Sequence, residues 1–153
     1  MVKNIVFDLG NVLISFRPSE YLEKKNYSEN VKEKILTDIF GSKEWQLLDS
    51  GDISTPDAIH HISLKSTLNK EEIEHIFNLR TDLMFPLDQN VKVLPELKKQ
   101  GFKLYFLSNF PIDIFEEVRS GYYFFKYFDG GIISAEAKAS KPDSRIYDIL
   151  LEK

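Results

Sequence analysis

Asp8, Ser108, Asn109 and Lys141 are the side chains of this sequence best suited to work on a phosphoryl group together. Asp8 ends the short apolar run Asn4-Ile-Val-Phe7, and Gly10 follows two positions later. Buried strands in α/β domains end this way where the backbone turns and presents a side chain at the sheet's carboxyl edge. A carboxylate there is suited to be a nucleophile, a metal ligand or both, and equally to cap the next turn. A second apolar run, Phe102-Lys-Leu-Tyr-Phe-Leu107, leads straight into Ser108-Asn109. Lys141 follows shortly after a third, Gly131-Ile-Ile-Ser134. In an open parallel sheet such strand ends converge on one crevice. There Asp8 would attack, Ser108 and Asn109 would donate hydrogen bonds, and Lys141 would neutralise charge on the transferring oxygens. A carboxylate and a phosphate repel each other, so this set calls for a divalent cation. Mg2+ suits it, since magnesium uses one or two carboxylates, keeps waters and takes a phosphate oxygen.

The elements that must hold these residues can be read from periodicity. Residues 4–8 read as the first strand. Residues of about 16–86 carry helical rather than strand patterning. Asn69-Lys-Glu-Glu72 ahead of Ile73, Ile76 and Phe77 has the form of a capping box on an amphipathic helix, and Ser54-Thr-Pro56-Asp57 opens another. Further on, Val91 to Lys99 reads as a helix that Gly101 stops, with Pro95 forcing a late start or a kink. Helices over 112–119 and 144–153 flank the third strand. Strand, helical block, helix, strand, helix, strand, helix is the alternation of an α/β fold with a Rossmann-like parallel sheet. The block after the first strand is too long for one crossover, so we expect an inserted helical cap. The expected division is 1–15 and 88–153 for the core and 16–87 for the cap.

Asp8 within FDLGNVL, Ser108-Asn109 within LYFLSN and Lys141 within SKPD resemble motifs one, two and three of the haloacid dehalogenase (HAD) superfamily of phosphohydrolases. The resemblance covers essentially the whole chain. The DLGNVL form, WQLLDSGDIS and ISAEAKASKPDSRIY are most similar to the subgroup containing α-D-glucose-1-phosphatase. It implies a Mg2+-dependent phosphatase with Asp8 as nucleophile, Asp8 and Gly10 at the metal, Ser108, Asn109 and Lys141 on the phosphate, and a small phosphorylated metabolite as substrate. A hexose 1-phosphate is the expected example. The resemblance also admits a metal-independent dehalogenase, or a phosphate-binding relative without turnover.

Two departures from the family pattern matter. Most of these phosphatases place a second aspartate two residues after the nucleophile, as general acid for the leaving group. Gly10 stands there and offers a metal only its backbone carbonyl. General acid–base help is worth about 10²–10⁴-fold, so its loss predicts a preference for good leaving groups. The fourth motif, an acidic pair on a further strand, is absent before the chain stops at Lys153. A C-terminally incomplete core is therefore expected, with weakened metal binding, low turnover and self-association through an unpaired first strand.

The remaining composition narrows partners and location. A net charge of −4 gives no bulk attraction to nucleic acid or to an anionic membrane. The 153 residues contain no cysteine, so thiol nucleophiles and zinc–thiolate sites are excluded. No apolar run reaches the roughly 18–20 residues of a membrane span, and no signal-peptide anatomy precedes the first strand, so a cytoplasmic location is expected. His60, His61 and His75 read as ordinary cap residues, with His60 and His61 on different helix sides. Trp45 and Asp49 are expected in a cap loop able to face the crevice, with core packing the simpler role for Trp45. Asn11 reads as a loop-bonding residue, Arg17 as a surface cation, and Tyr122–Phe128 as core packing.

Overall fold

Two sets of elements, each with its own apolar core, make up the computed structural model, which describes residues 2–153. The first set opens with β1 (Asn4–Phe7), a tight loop and β2 (Ile14–Phe16). Helices follow: α1 (Pro18–Glu23), α2 (Glu29–Lys34) continuing as a π-helical stretch Ile35–Phe40, α3 (Lys43–Asp49), α4 (Thr55–Ser63) and α5 (Lys70–Asn78). β3 (Met84–Pro86) brings the chain back. Then come α6 (Asp88–Val91), α7 (Val93–Lys99), β4 (Lys103–Ser108), α8 (Ile112–Gly121), β5 (Gly130–Ile133), α9 (Ser134–Ala137) and α10 (Ser144–Leu151). No helix among the described residues is long and apolar enough to cross a membrane.

Local chemistry explains the boundaries. The expected capping box of Asn69 with Glu72 forms, and Ser54 with Asp57 makes a second one at the helix start expected there, each satisfying backbone donors that the first helical turn leaves unpaired. The helical run around Pro95 breaks at Lys92 and restarts at Val93, which leaves Pro95 in a first turn where its missing N–H loses no bond.

β1, β4 and β5 form a parallel sheet in the order β1-β4-β5. Phe7 pairs with Phe106, and Ser108 pairs with Ile133, so Asp8, Ser108 and Ser134 leave the sheet at one edge. Gly131 is required beside β4, because a Cβ there would sit 2.4 Å from the Phe106 ring. Leu94, Leu104, Phe106, Phe115 and Phe124 fill the core beneath. Most of the aromatic run 122–128 packs there as expected, with Phe106 edge-on to Phe125 and Phe128, while Tyr123 points to solvent. Among the described residues β1 has a strand partner on one side only, and Val6 on it is 48% exposed.

The helical segment closes around Leu22, Ile39, Trp45, Ile62, Ile73 and Phe77. Sequence reading missed the two-stranded antiparallel ribbon at its base, where β2 pairs with β3 through Ile14–Pro86 and Phe16–Met84. Three residues per strand are too few to show a period of two, and Pro86 argues against a strand. Phe16 on this ribbon packs against both cores.

Candidate active site

The loop after β1 is a tight hydrogen-bonded turn in which the Leu9 carbonyl accepts from the N–H groups of Leu13 and Ile14, both at 2.9 Å. Asn11 takes the left-handed conformation (φ 55°), and its Oδ1 accepts from the Phe16 N–H at 2.9 Å, the loop-bonding role expected of it. Asp8 projects from the start of this turn. Its Oδ1 accepts from the Leu9 N–H (2.8 Å) and from Ser108 Oγ (3.0 Å), while Oδ2 lies 2.7 Å from Lys141 Nζ. The Lys141 ammonium also donates to the Leu107 carbonyl at 3.1 Å. Residues 100 and 133 positions from Asp8 in the chain therefore meet on its two oxygens.

Asn109 has a more specific place than the sequence indicated. Its Oδ1 accepts from the Lys141 N–H at 2.8 Å, and its Nδ2 donates to the Lys141 carbonyl at 3.1 Å. This reciprocal clamp ties the loop after β4 to the segment between α9 and α10 and sets the height of the lysine. One Nδ2 hydrogen is left for another acceptor. Gly10 has no atom within 4 Å of where a Cβ would sit, so the face of the loop beside Asp8 is open.

That open face leads into a cavity of about 90 Å³ lined by Gly10, Ile14, Phe16, Trp45, Asp49, Met84, Asn109, Phe110 and Pro111. A larger cleft of about 530 Å³ follows the same seam between the helical segment and the sheet, and shares Pro111 with the first. The smaller cavity is the one that adjoins the Asp8 loop. Trp45 serves twice, stacking on Phe16 (centroids 5.8 Å apart) within the helical core and lining this cavity. The apolar lining from Ile14, Phe16, Met84 and Phe110 escaped the sequence reading, because those positions come from three separated segments.

No protein-family model matches the chain. Sesquiterpene phosphatase astK from Aspergillus oryzae is 30% identical over 151 residues, covering 99% of this chain and 74% of the relative. The chain is a phosphatase of the HAD superfamily. Solved structures agree in fold. The HAD family enzyme BT-2542 from Bacteroides thetaiotaomicron, in complex with magnesium and inorganic phosphate, superposes with a TM-score of 0.69 at 22% identity, over 99% of this chain and 78% of that one. HAD-hydrolase YfnB from Bacillus subtilis, bound to magnesium, gives 0.69 at 14% identity, over 99% and 74%.

Other positions in this HAD phosphatase sort cleanly. His60, His61 and His75 are exposed, and no group of three His, Cys, Asp or Glu able to hold a metal occurs among the described residues. Arg17 pairs with Glu20 at the surface (3.1 Å). Across the seam, buried Arg80 donates to Asp113 Oδ2 on α8 (2.9 Å) and to Thr55 Oγ1 (3.3 Å), and Thr55 Oγ1 itself donates to Asp113 at 2.7 Å. Partial burial opposes ionisation of Asp113, but the Thr55 bond and the Arg80 charge outweigh it and hold its carboxyl below the usual range. Nearer the cavity, Ser134 Oγ accepts from the Phe110 N–H (2.9 Å) and donates to the Asp49 carbonyl. Lys138 Nζ donates to the Gly51 carbonyl.

Proposed function

We propose that this phosphatase hydrolyses a small phosphorylated metabolite with Mg2+, through an aspartyl-phosphate on Asp8. The observation that carries the reading is the Asp8 carboxylate held between Lys141 Nζ at 2.7 Å and Ser108 Oγ at 3.0 Å, at the carboxyl edge of a parallel sheet. One Asp8 oxygen attacks phosphorus, while Lys141, Ser108 and the free Asn109 hydrogen stabilise the transferring oxygens. Water then hydrolyses the acyl phosphate and returns the carboxylate.

The donor set fits magnesium and does not fit zinc. It offers the half-exposed Asp8 carboxylate and the Gly10 carbonyl beside an open face, with no histidine or thiolate nearby. When bound, the ion supplies charge screening between carboxylate and phosphate. BT-2542 and YfnB, which share the fold, were crystallised with magnesium.

We assign residues 16–87 the role of a cap and residues 1–15 and 88–153 that of the core. The 90 Å³ cavity is well below the roughly 300–1,000 Å³ of small-molecule pockets. The cap therefore has to open about the β2–β3 ribbon to admit substrate. The cytoplasm, where phosphorylated metabolites are retained by their charge, is the proposed setting. The open side of β1 is proposed to pair with the same strand of a second copy.

For the leaving group, a hexose 1-phosphate follows from the glucose-1-phosphatase-like motifs and from Gly10 in the acid's place. The cavity favours a second reading. Its lining of Ile14, Phe16, Trp45, Met84 and Phe110 suits an apolar alcohol such as a sesquiterpenoid, the substrate class in the name of astK. Turnover of glucose 1-phosphate, farnesyl phosphate and p-nitrophenyl phosphate with Mg2+ tests all of this. Activity that needs Mg2+ and vanishes in Asp8→Asn is expected, and activity indifferent to both chelation and Asp8→Asn would overturn the proposal.

A further inference from the structure

Asp49 is a half-buried acid that the mechanism above leaves unused. It ends α3, and its side chain lines the same small cavity as Gly10 and Asn109, the residues that flank the nucleophile. The turn after it is docked on the core from three directions. Ser134 Oγ holds the Asp49 carbonyl and joins it to the backbone of Phe110. Lys138 Nζ holds the Gly51 carbonyl. Gly51 takes φ 71°, and a Cβ there would lie 2.6 Å from the Ala135 carbonyl oxygen. This position is therefore built to close tolerance against α9, which follows β5.

We propose that Asp49, carried by the cap, is the general acid and base of the reaction, standing in for the carboxylate that Gly10 removes from the nucleophile loop. The assignment rests on the phosphatase reading above. As an Asp8 oxygen bonds to phosphorus, the phosphorus–oxygen bond to the leaving group breaks. That oxygen keeps the electron pair and takes the proton from Asp49. In the second half, the Asp49 carboxylate takes a proton from water as its oxygen attacks phosphorus. The bond to Asp8 then breaks, phosphate leaves, and Asp49 holds a proton again. Because the acid arrives on the cap, it is in place only when the seam is closed and water is excluded.

The surroundings of Asp49 suit both halves. Burial alone raises its carboxyl from the ordinary 3.8 to about 7, and no hydrogen bond or charge offsets that rise. The cavity side chains from the β1 loop, the β2–β3 ribbon and residues 109–111 carry no titratable group. Just beyond α9, Lys138 is engaged with the Gly51 carbonyl. An acid poised near neutrality can give a proton in one step and take one in the next.

The test compares kcat/KM for p-nitrophenyl phosphate, whose leaving group needs no proton, with that for 2-phenylethyl phosphate, whose alkoxide does. Asp49→Asn is expected to lose about 10²-fold or more on the alkyl ester and at least tenfold less on the aryl ester. In the wild type, kcat/KM for the alkyl ester should fall as pH rises through about 7, a limb the aryl ester lacks, and this measurement needs no variant to fold. Equal losses on both esters, or identical pH profiles, would overturn the assignment and leave Asp49 a packing residue. Absence of any Asp8-dependent hydrolysis of either ester would overturn the phosphatase reading, and the role of Asp49 with it.

Discussion

Asp49 lines the cavity that Gly10, two residues beyond Asp8, also lines, and the protein treats the two aspartates in opposite ways. Asp8 sits on the sheet edge, 42% exposed, with Lys141, Ser108 and the Leu9 N–H on its two oxygens. Asp49 sits on the helical side among Phe16, Trp45, Met84 and Phe110, its carboxyl bonded to nothing. The first setting holds an anion ready beside a cation. The second makes an anion unfavourable and keeps a proton. The proposed phosphoryl transfer needs a nucleophile and a proton donor, and these two roles are assigned to two aspartates in different surroundings.

Removing the charged side of this pair should have the largest effect. Asp8→Asn keeps the shape of the loop but deletes the nucleophile, so turnover is expected to fall by at least about 10⁴-fold. Acid-quenched wild type should carry a hydroxylamine-sensitive acyl phosphate that the variant lacks. Lys141→Met removes the cation while keeping the apolar stem. A loss of about 10²–10³-fold in kcat is expected, measured with p-nitrophenyl phosphate.

Stability against pH sharpens the contrast from the other side, and the two seam acids should give opposite signs. For Asp49 the folded pKa is raised from 3.8 to about 7. The folded state then binds more protons than the unfolded chain across that window. Its contribution is fully present below the unfolded pKa and is lost as pH rises through about 7. Asp49→Asn should therefore gain stability relative to wild type between pH 4 and pH 8. For Asp113 the folded pKa is lowered, so its contribution holds above the unfolded pKa and is lost as pH falls through the folded one. Arg80→Met should cost about 1–3 kcal/mol near pH 7, with the difference from wild type shrinking below about pH 4. Chemical denaturation at a series of pH values measures both. The smallest effect concerns the open edge: Val6→Lys should lower self-association, read by light scattering, without changing turnover per chain.

Much of the sheet side was legible in the sequence. Strand ends are short apolar runs that stop at a polar residue, and a parallel sheet brings those ends together, so Asp8, Ser108, Asn109 and Lys141 could be named as one group. The helix caps at Ser54 and Asn69 were equally plain, because each is a local hydrogen-bonding pattern. The apolar wall of the cavity was not legible. Phe16, Met84 and Phe110 have no local signature, and they become neighbours only once the ribbon and the seam exist. Asp49 could be placed at the crevice, but its proton affinity depends on burial by residues from other segments. The clamp between Asn109 and Lys141 was also out of reach, since it joins two loops 32 positions apart.

The two strands that link the helices to the sheet are bonded to each other, and Leu87 N–H donates to the Leu13 carbonyl just beyond their end. Two free tethers would let the helical half wobble and twist. A bonded pair instead favours bending about a single axis, like a strap hinge on a door. One leaf of that hinge begins where the Asp8 turn ends, with Gly10 bridged to Ile14. If the helical half opens as proposed, a swing about this hinge would pull on the turn that carries Asp8, coupling product release to the proposed nucleophile.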